Sequence, residues 1–112
     1  MLRLSHNEDA QILLPGQGGG LFAVLFSNST RPGAEALEAR FSELQWPADL
    51  RQVIVDTRTA SASAEWFGLG EGPAMALICE GSLLAVEYEC SDGVCDRILK
   101  IGYQQLAALA GV

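Results

Sequence analysis

Apolar residues in this chain fall into short unbroken runs. Leu21-Phe22-Ala23-Val24-Leu25-Phe26, Val53-Ile54-Val55 and Ala74 to Cys79 are continuous and of strand length. Such runs predict strands buried on both faces, in the interior of a sheet. Leu83 to Glu89 is different, because it alternates: Leu84, Val86 and Tyr88 on one side, Ala85, Glu87 and Glu89 on the other. Alternation predicts an edge strand with one wet face, and Glu87 and Glu89 there discourage sheet-to-sheet aggregation. Leu2-Arg3-Leu4 is a further short strand.

Between these runs the period changes. Ala34, Leu37, Phe41 and Leu44 recur at helical spacing with Glu35, Glu38, Arg40 and Glu43 between them, and Trp46-Pro47 stops that helix. Ser5 and Glu8 form a capping box for a short helix reaching about Leu14. Pro15 to Gly20 is a glycine-rich connector; it has no Lys and no Gly-Lys-Ser/Thr ending, so it is not a phosphate loop. Thr57 and Thr59 lead a short helix through Trp66, closed by Gly68. Glu80-Gly81-Ser82 is a tight turn. Asp92 caps a last helix running to about Ala110, with Ile98, Ile101, Gln105, Leu106 and Leu109 inward. The predicted order is β-α-β-α-β-α-β-β-α. Alternating strands and helices give parallel crossovers, and the late hairpin adds an antiparallel edge. The expected fold class is α/β, a mixed sheet flanked by helices, in a single domain of residues 1–112.

Composition narrows the function classes. The chain has 112 residues, 49% of them apolar, and a net charge of −7 from fourteen acidic and seven basic residues. Those basic residues are scattered, whereas binding to phosphate backbones needs them clustered, so nucleic acid is not expected as a partner. No apolar run approaches the ~20 residues of a membrane span, and the first residues lack the apolar core of a signal peptide. The expected location is the cytoplasm. Three cysteines, Cys79, Cys90 and Cys95, are too few for a disulfide scaffold and are expected as thiols.

One block carries a resemblance. Phe67-Gly68-Leu69, three further residues, then Pro73 and an apolar strand ending at Glu80-Gly81 resembles the stretch of thioredoxins that contains the cis-proline loop. The spacing from Pro32 to Pro73 and the element order agree, so the chain resembles the thioredoxin-like superfamily over nearly its whole length. The resemblance implies a thioredoxin-like three-layer sandwich. It also implies a cis peptide before Pro73, although Gly72 stands where thioredoxins usually carry an aliphatic residue. Where thioredoxins place Cys-Gly-Pro-Cys, this chain has Thr30-Arg31-Pro32-Gly33. Val24 stands where they bury an Asp, and Asp56 follows Val55 at an acidic strand end.

Thiol–disulfide exchange needs a thiolate. A Thr hydroxyl does not ionise near neutral pH, and Gly33 has no side chain. No catalytic residue is therefore expected in this loop; Thr30 or Ser29 caps the following helix. The superfamily's members that lack both cysteines act as accessory or chaperone-like domains, among them bacterial hydrogenase-maturation proteins. The resemblance thus implies a protein or peptide partner held in a groove of Ser29, Thr30, Arg31, Pro32, Gly72 and Pro73. Trp66 is read as groove or core, and Phe67 as core. Arg31 is either a solvated side chain or a contact to a partner's carboxylate or C-terminus.

Two alternatives accompany this reading. Cys90 and Cys95, separated by a turn into a helix, are either packing residues or an atypical redox pair. An exposed Trp46 beside an acidic helix face is a second place for a complex partner. Cys79 reads as a small buried hydrophobe. A zinc site needs four ligands and an iron–sulfur cluster four cysteines, while His6 is the only histidine and reads as an exposed turn residue. No metal and no cofactor are expected.

Overall fold

The computed structural model describes residues 2–16, 20–46, 50–69, 73–88 and 92–110. Five strands form one sheet: β1 (Leu2–Leu4), β2 (Leu21–Ser27), β3 (Arg51–Asp56), β4 (Ala74–Cys79) and β5 (Ser82–Glu87), in the spatial order β1-β3-β2-β4-β5. The helices are α1 (Asn7–Ala10, continued by a 3-10 turn Gln11–Leu13), α2 (Ala34–Glu43), α3 (Ala62–Trp66) and α4 (Asp92–Ala110). β3 pairs in parallel with both β1 and β2, whereas β4 runs antiparallel to β2 and to β5. This is the expected mixed sheet with helices on both faces. Among the described residues no helix is long and apolar enough to cross a membrane.

The apolar run of β2 is the centre of the sheet, and all seven of its residues are buried. Its pleat sends Phe22, Val24 and Phe26 into a core under α1 and α3, with Leu13, Val53, Val55, Ala64 and Ile78. Leu21, Ala23 and Leu25 go to the opposite core, with Phe41 of α2 and Ile98 of α4. Each large side chain so buried contributes roughly 1.5–3 kcal/mol relative to exposure.

Two turns follow from sequence signals. Gly68 (φ 71°) closes α3: the Leu69 amide donates to the Ala64 carbonyl at 2.9 Å and the Gly68 amide to that of Glu65 at 3.1 Å. That pair of bonds is the Schellman ending, which favours glycine in the left-handed position. The β4–β5 hairpin turns on Glu80 (φ 50°) and Gly81 (φ 82°), the two left-handed positions of a type I′ turn.

Four expectations are corrected. No capping box forms at α1: its N-cap is His6, with no side-chain cap bond. The side chain of Asn7 instead accepts from the Ala62 amide at 3.0 Å, capping α3 from outside. α3 therefore starts at Ala62 rather than near Thr57. Leu84 does not share a face with Val86. The β4–β5 register shifts, so that Leu77 faces Ala85 and Ile78 faces Leu83. Leu84 is the extra residue of this bulge and is exposed, while Leu83 and Val86 reach the same core. Trp46 is not exposed either. It packs against Phe41 with ring centroids 6.2 Å apart and lies over Gly102 of α4, where an added Cβ would come within 3.0 Å of the indole.

Gly81 gives a direct test of this packing. A Cβ there would sit 2.7 Å from the Pro15 Cδ and closer still to that residue's backbone, in a left-handed conformation that already disfavours L side chains. Gly81→Ala is expected to lower stability by about 2 kcal/mol or more, measured by urea denaturation. A variant as stable as the parent would show that the hairpin and the Pro15 loop do not pack this way.

Candidate functional site

β2 and β3 run parallel and end together at Ser27 and Asp56. The loop leaving β2 therefore emerges at the carboxyl ends of both strands, where open α/β sheets commonly place their binding sites. β4 enters the sheet at the same end, since Phe26 faces Ala74, and this brings Pro73 alongside. The result is a cleft of about 320 Å³ lined by Ser27, Asn28, Arg31, Pro32, Gly33, Ala34, Leu37 and Pro73.

The loop is built by local chemistry. Asn28 makes an Asx turn: its side-chain oxygen accepts from the Thr30 amide at 3.0 Å and from the Thr30 hydroxyl. The Arg31 amide donates to the Asn28 carbonyl at 3.0 Å, and the Ala34 amide to the Arg31 carbonyl at 3.3 Å. Pro32-Gly33 occupies the two central positions of that second turn, and Gly33 has φ 84°, ψ −1°. A proline followed by a left-handed glycine is the signature of a type II turn. It delays the helix, so α2 starts at Ala34 with Gly33 as an N-cap that has no side-chain bond. Thr30 and Ser29 are thus not helix caps. Thr30 is turned onto Asn28, and the Ser29 hydroxyl donates to the Asp56 carboxylate at 3.2 Å.

Asp56 is the anchor of the loop. It is buried, and besides Ser29 it accepts from the Arg58 amide at 3.1 Å. The Thr57 amide closes the strand ends by donating to the Ser27 carbonyl at 2.9 Å. The Ser27 hydroxyl has a different standing: it is buried and has no hydrogen-bond partner.

Of the residues expected in the groove, Arg31, Pro32 and Pro73 line the cleft and Ser29 lines the adjoining recess along α2, whereas Thr30, within the loop and turned onto Asn28, lines neither. Trp66 is 62% exposed but does not line the cleft. Gly72, Cys90 and the peptide bond before Pro73 lie outside the described residues, as does the side chain of Cys95. Cys79 is half-buried against the α2–α4 core as a free thiol. Among the described residues no three His, Cys, Asp or Glu side chains gather as a metal site would need. Ser27, Asn28, Leu37 and Asp56 were not expected in the site. Asn28 and Pro32-Gly33 carried a readable turn signal, whereas Ser27 was marked only by ending an apolar run.

Neither the protein-family models nor the curated proteins contain a match to this chain. Solved structures do match. Thioredoxin of Malassezia sympodialis superposes with a TM-score of 0.74 at 10% identity, over 90% of this chain and 91% of that one. Thioredoxin of Schistosoma mansoni gives 0.72 at 21% identity, over 88% and 93%. Mitochondrial thioredoxin 3 of Saccharomyces cerevisiae gives 0.70 at 16%, over 89% and 93%. The chain has the thioredoxin fold.

Loss of the Asp56 carboxylate leaves the Ser29 hydroxyl and the Arg58 amide without their acceptor. Asp56→Ala is expected to cost about 1–3 kcal/mol and to shift the backbone amide resonances of residues 28–31 and 33. Unchanged resonances in that loop would show that Asp56 does not anchor it.

Proposed function

We propose that this thioredoxin-fold domain is a protein-binding, chaperone-like or accessory module of the cytoplasm and that its residue 28–33 loop carries out no disulfide exchange. One observation carries the reading: the cleft between that loop and Pro73 is open and apolar-walled, and among the described residues that line it there is no cysteine. The neighbours in fold are redox thioredoxins, and the same place in this chain holds Asn28, Arg31, Pro32 and Gly33. A cleft bordered by a loop and an incoming strand suits an extended segment of another chain, which can pair with exposed backbone groups.

The delayed helix supports the same reading. A helix N-terminus stabilises a thiolate only within its first turn. Residue 30 lies four positions before the first residue of α2, in a separate turn. Its environment is therefore unsuited to an activated sulfur even if one were supplied.

Three measurements test this. The purified protein is expected not to accelerate insulin reduction by dithiothreitol, and Thr30→Cys is expected to titrate near the ordinary thiol pKa of about 8.5. Reductase turnover by the parent that survives Cys90→Ser and Cys95→Ser would overturn the redox-inactive reading. Turnover lost in those variants would assign the activity to that pair instead. Affinity capture from lysate is expected to recover partner polypeptides from the parent and several-fold less from Arg31→Ala.

A further inference from the structure

We infer that the cleft reads the free C-terminal carboxylate of a partner chain together with that chain's last apolar side chain. This rests on the binding-module reading and names what the module holds. The argument starts at the first turn of α2. That helix is ten residues long, and its N-cap is a glycine that offers no side chain to the free amides. Among the described residues, the amides of Glu35 and Ala36 donate to no protein acceptor, as the first turn of any helix leaves them unless a cap intervenes. Beside them is a recess of about 380 Å³, lined by Ser29, Arg31, Gly33, Ala34, Glu35 and Ala36, which shares Arg31, Gly33 and Ala34 with the cleft.

The second observation is independent of the helix. Ser27 is 1% exposed, and its hydroxyl has no hydrogen-bond partner. An unmet buried hydroxyl costs free energy, so such groups are ordinarily paired. Ser27 is the residue at which β2 leaves the apolar core. Its neighbour Phe26 points to the α1–α3 side, so the pleat turns Ser27 towards α2, on the floor of the cleft. A ligand oxygen entering beside Ala34 supplies the acceptor that the hydroxyl lacks.

The chemistry of the occupant follows from the lining. Helix amides, the Ser27 hydroxyl and the Arg31 guanidinium are donors, and with the positive end of the helix they favour an anion, against the single carboxylate of Glu35 on the recess. Pro32, Ala34, Leu37 and Pro73 supply apolar walls on the same cleft. A planar carboxylate with an apolar group one carbon away fits both halves, and the end of a polypeptide has that composition. A phosphate satisfies only the donors.

The test uses N-acetyl-leucine as the probe and N-acetyl-leucinamide as its uncharged twin, with amide resonances followed by NMR on the full chain. N-acetyl-leucine is expected to shift Ser27, Glu35 and Ala36 saturably in the millimolar range, with the amide binding at least tenfold more weakly. Ser27→Ala and Arg31→Gln are each expected to weaken the acid about threefold or more. Glu35→Gln, which removes the one acidic side chain of that first turn, strengthens it. Equal binding of acid and amide would overturn the carboxylate and leave the binding module standing. Inorganic phosphate binding as well as N-acetyl-leucine would overturn the C-terminus in favour of a plain anion site. No shift with any probe would overturn the inference, while the lysate capture decides the module reading by itself.

Discussion

Burial of β2 on both faces is the constraint from which the rest of this structure follows. Seven consecutive residues lie between two cores, and their backbone is hydrogen-bonded to β3 on one side and β4 on the other. A strand in that position has no face on which a polar side chain is tolerated without a partner. The helices are needed to cover the two faces: α1 and α3 cover one, α2 and α4 the other. The cleft lies at the point where this condition lapses. At Ser27 the backbone is still held by Thr57, but the side chain is the first polar one of the strand, and the loop that follows leaves the apolar core.

What was legible in the sequence was what depends on burial. The runs at residues 21–26, 53–55 and 74–79 announced the interior strands, because an interior strand requires apolar residues at every position. Gly68 and Gly81 announced turns, because each adopts a left-handed conformation. What was not legible depends on contacts between distant residues. Ser5 and Glu8 satisfied a local pattern, yet the helix begins at Asn7 and the capping oxygen of Asn7 serves a helix fifty-five residues away. The alternation of residues 83–89 was a correct sign of an edge strand and a wrong guide to its faces, since a bulge moves Leu84 outward without altering the local pattern. Trp46 reads as exposed beside an acidic helix face, and only α4 folding over it shows why it is sheltered.

The site shows the same division. Proximity of the residue 28–33 loop to Pro73 was implied by the likeness to thioredoxins. The interior of the loop was not legible, because Thr30 or Ser29 reads as the cap of the following helix. The local signal was stronger than the likeness: Pro-Gly dictates a type II turn and postpones the helix to Ala34. Where a family resemblance and a short-range conformational rule disagree, the rule prevails if satisfying it costs the fold nothing. Here it costs nothing, since the turn lies outside both cores.

That postponement separates scaffold from chemistry in physical terms. The fold supplies a helix end aimed at the carboxyl edge of a sheet, and any group placed within the first turn feels its partial positive charge. With the helix starting at residue 30, that group would be a side chain of the loop. With the helix starting at Ala34 behind a glycine, the positive end is left facing a cleft rather than a residue of its own chain. The uncapped amides follow from that change, and the unmet Ser27 hydroxyl, at the end of strand β2, is a separate feature of the neighbouring cleft. Among the described residues that helix end has no internal claimant, which connects the turn chemistry of Pro32-Gly33 to the proposed role in holding other molecules.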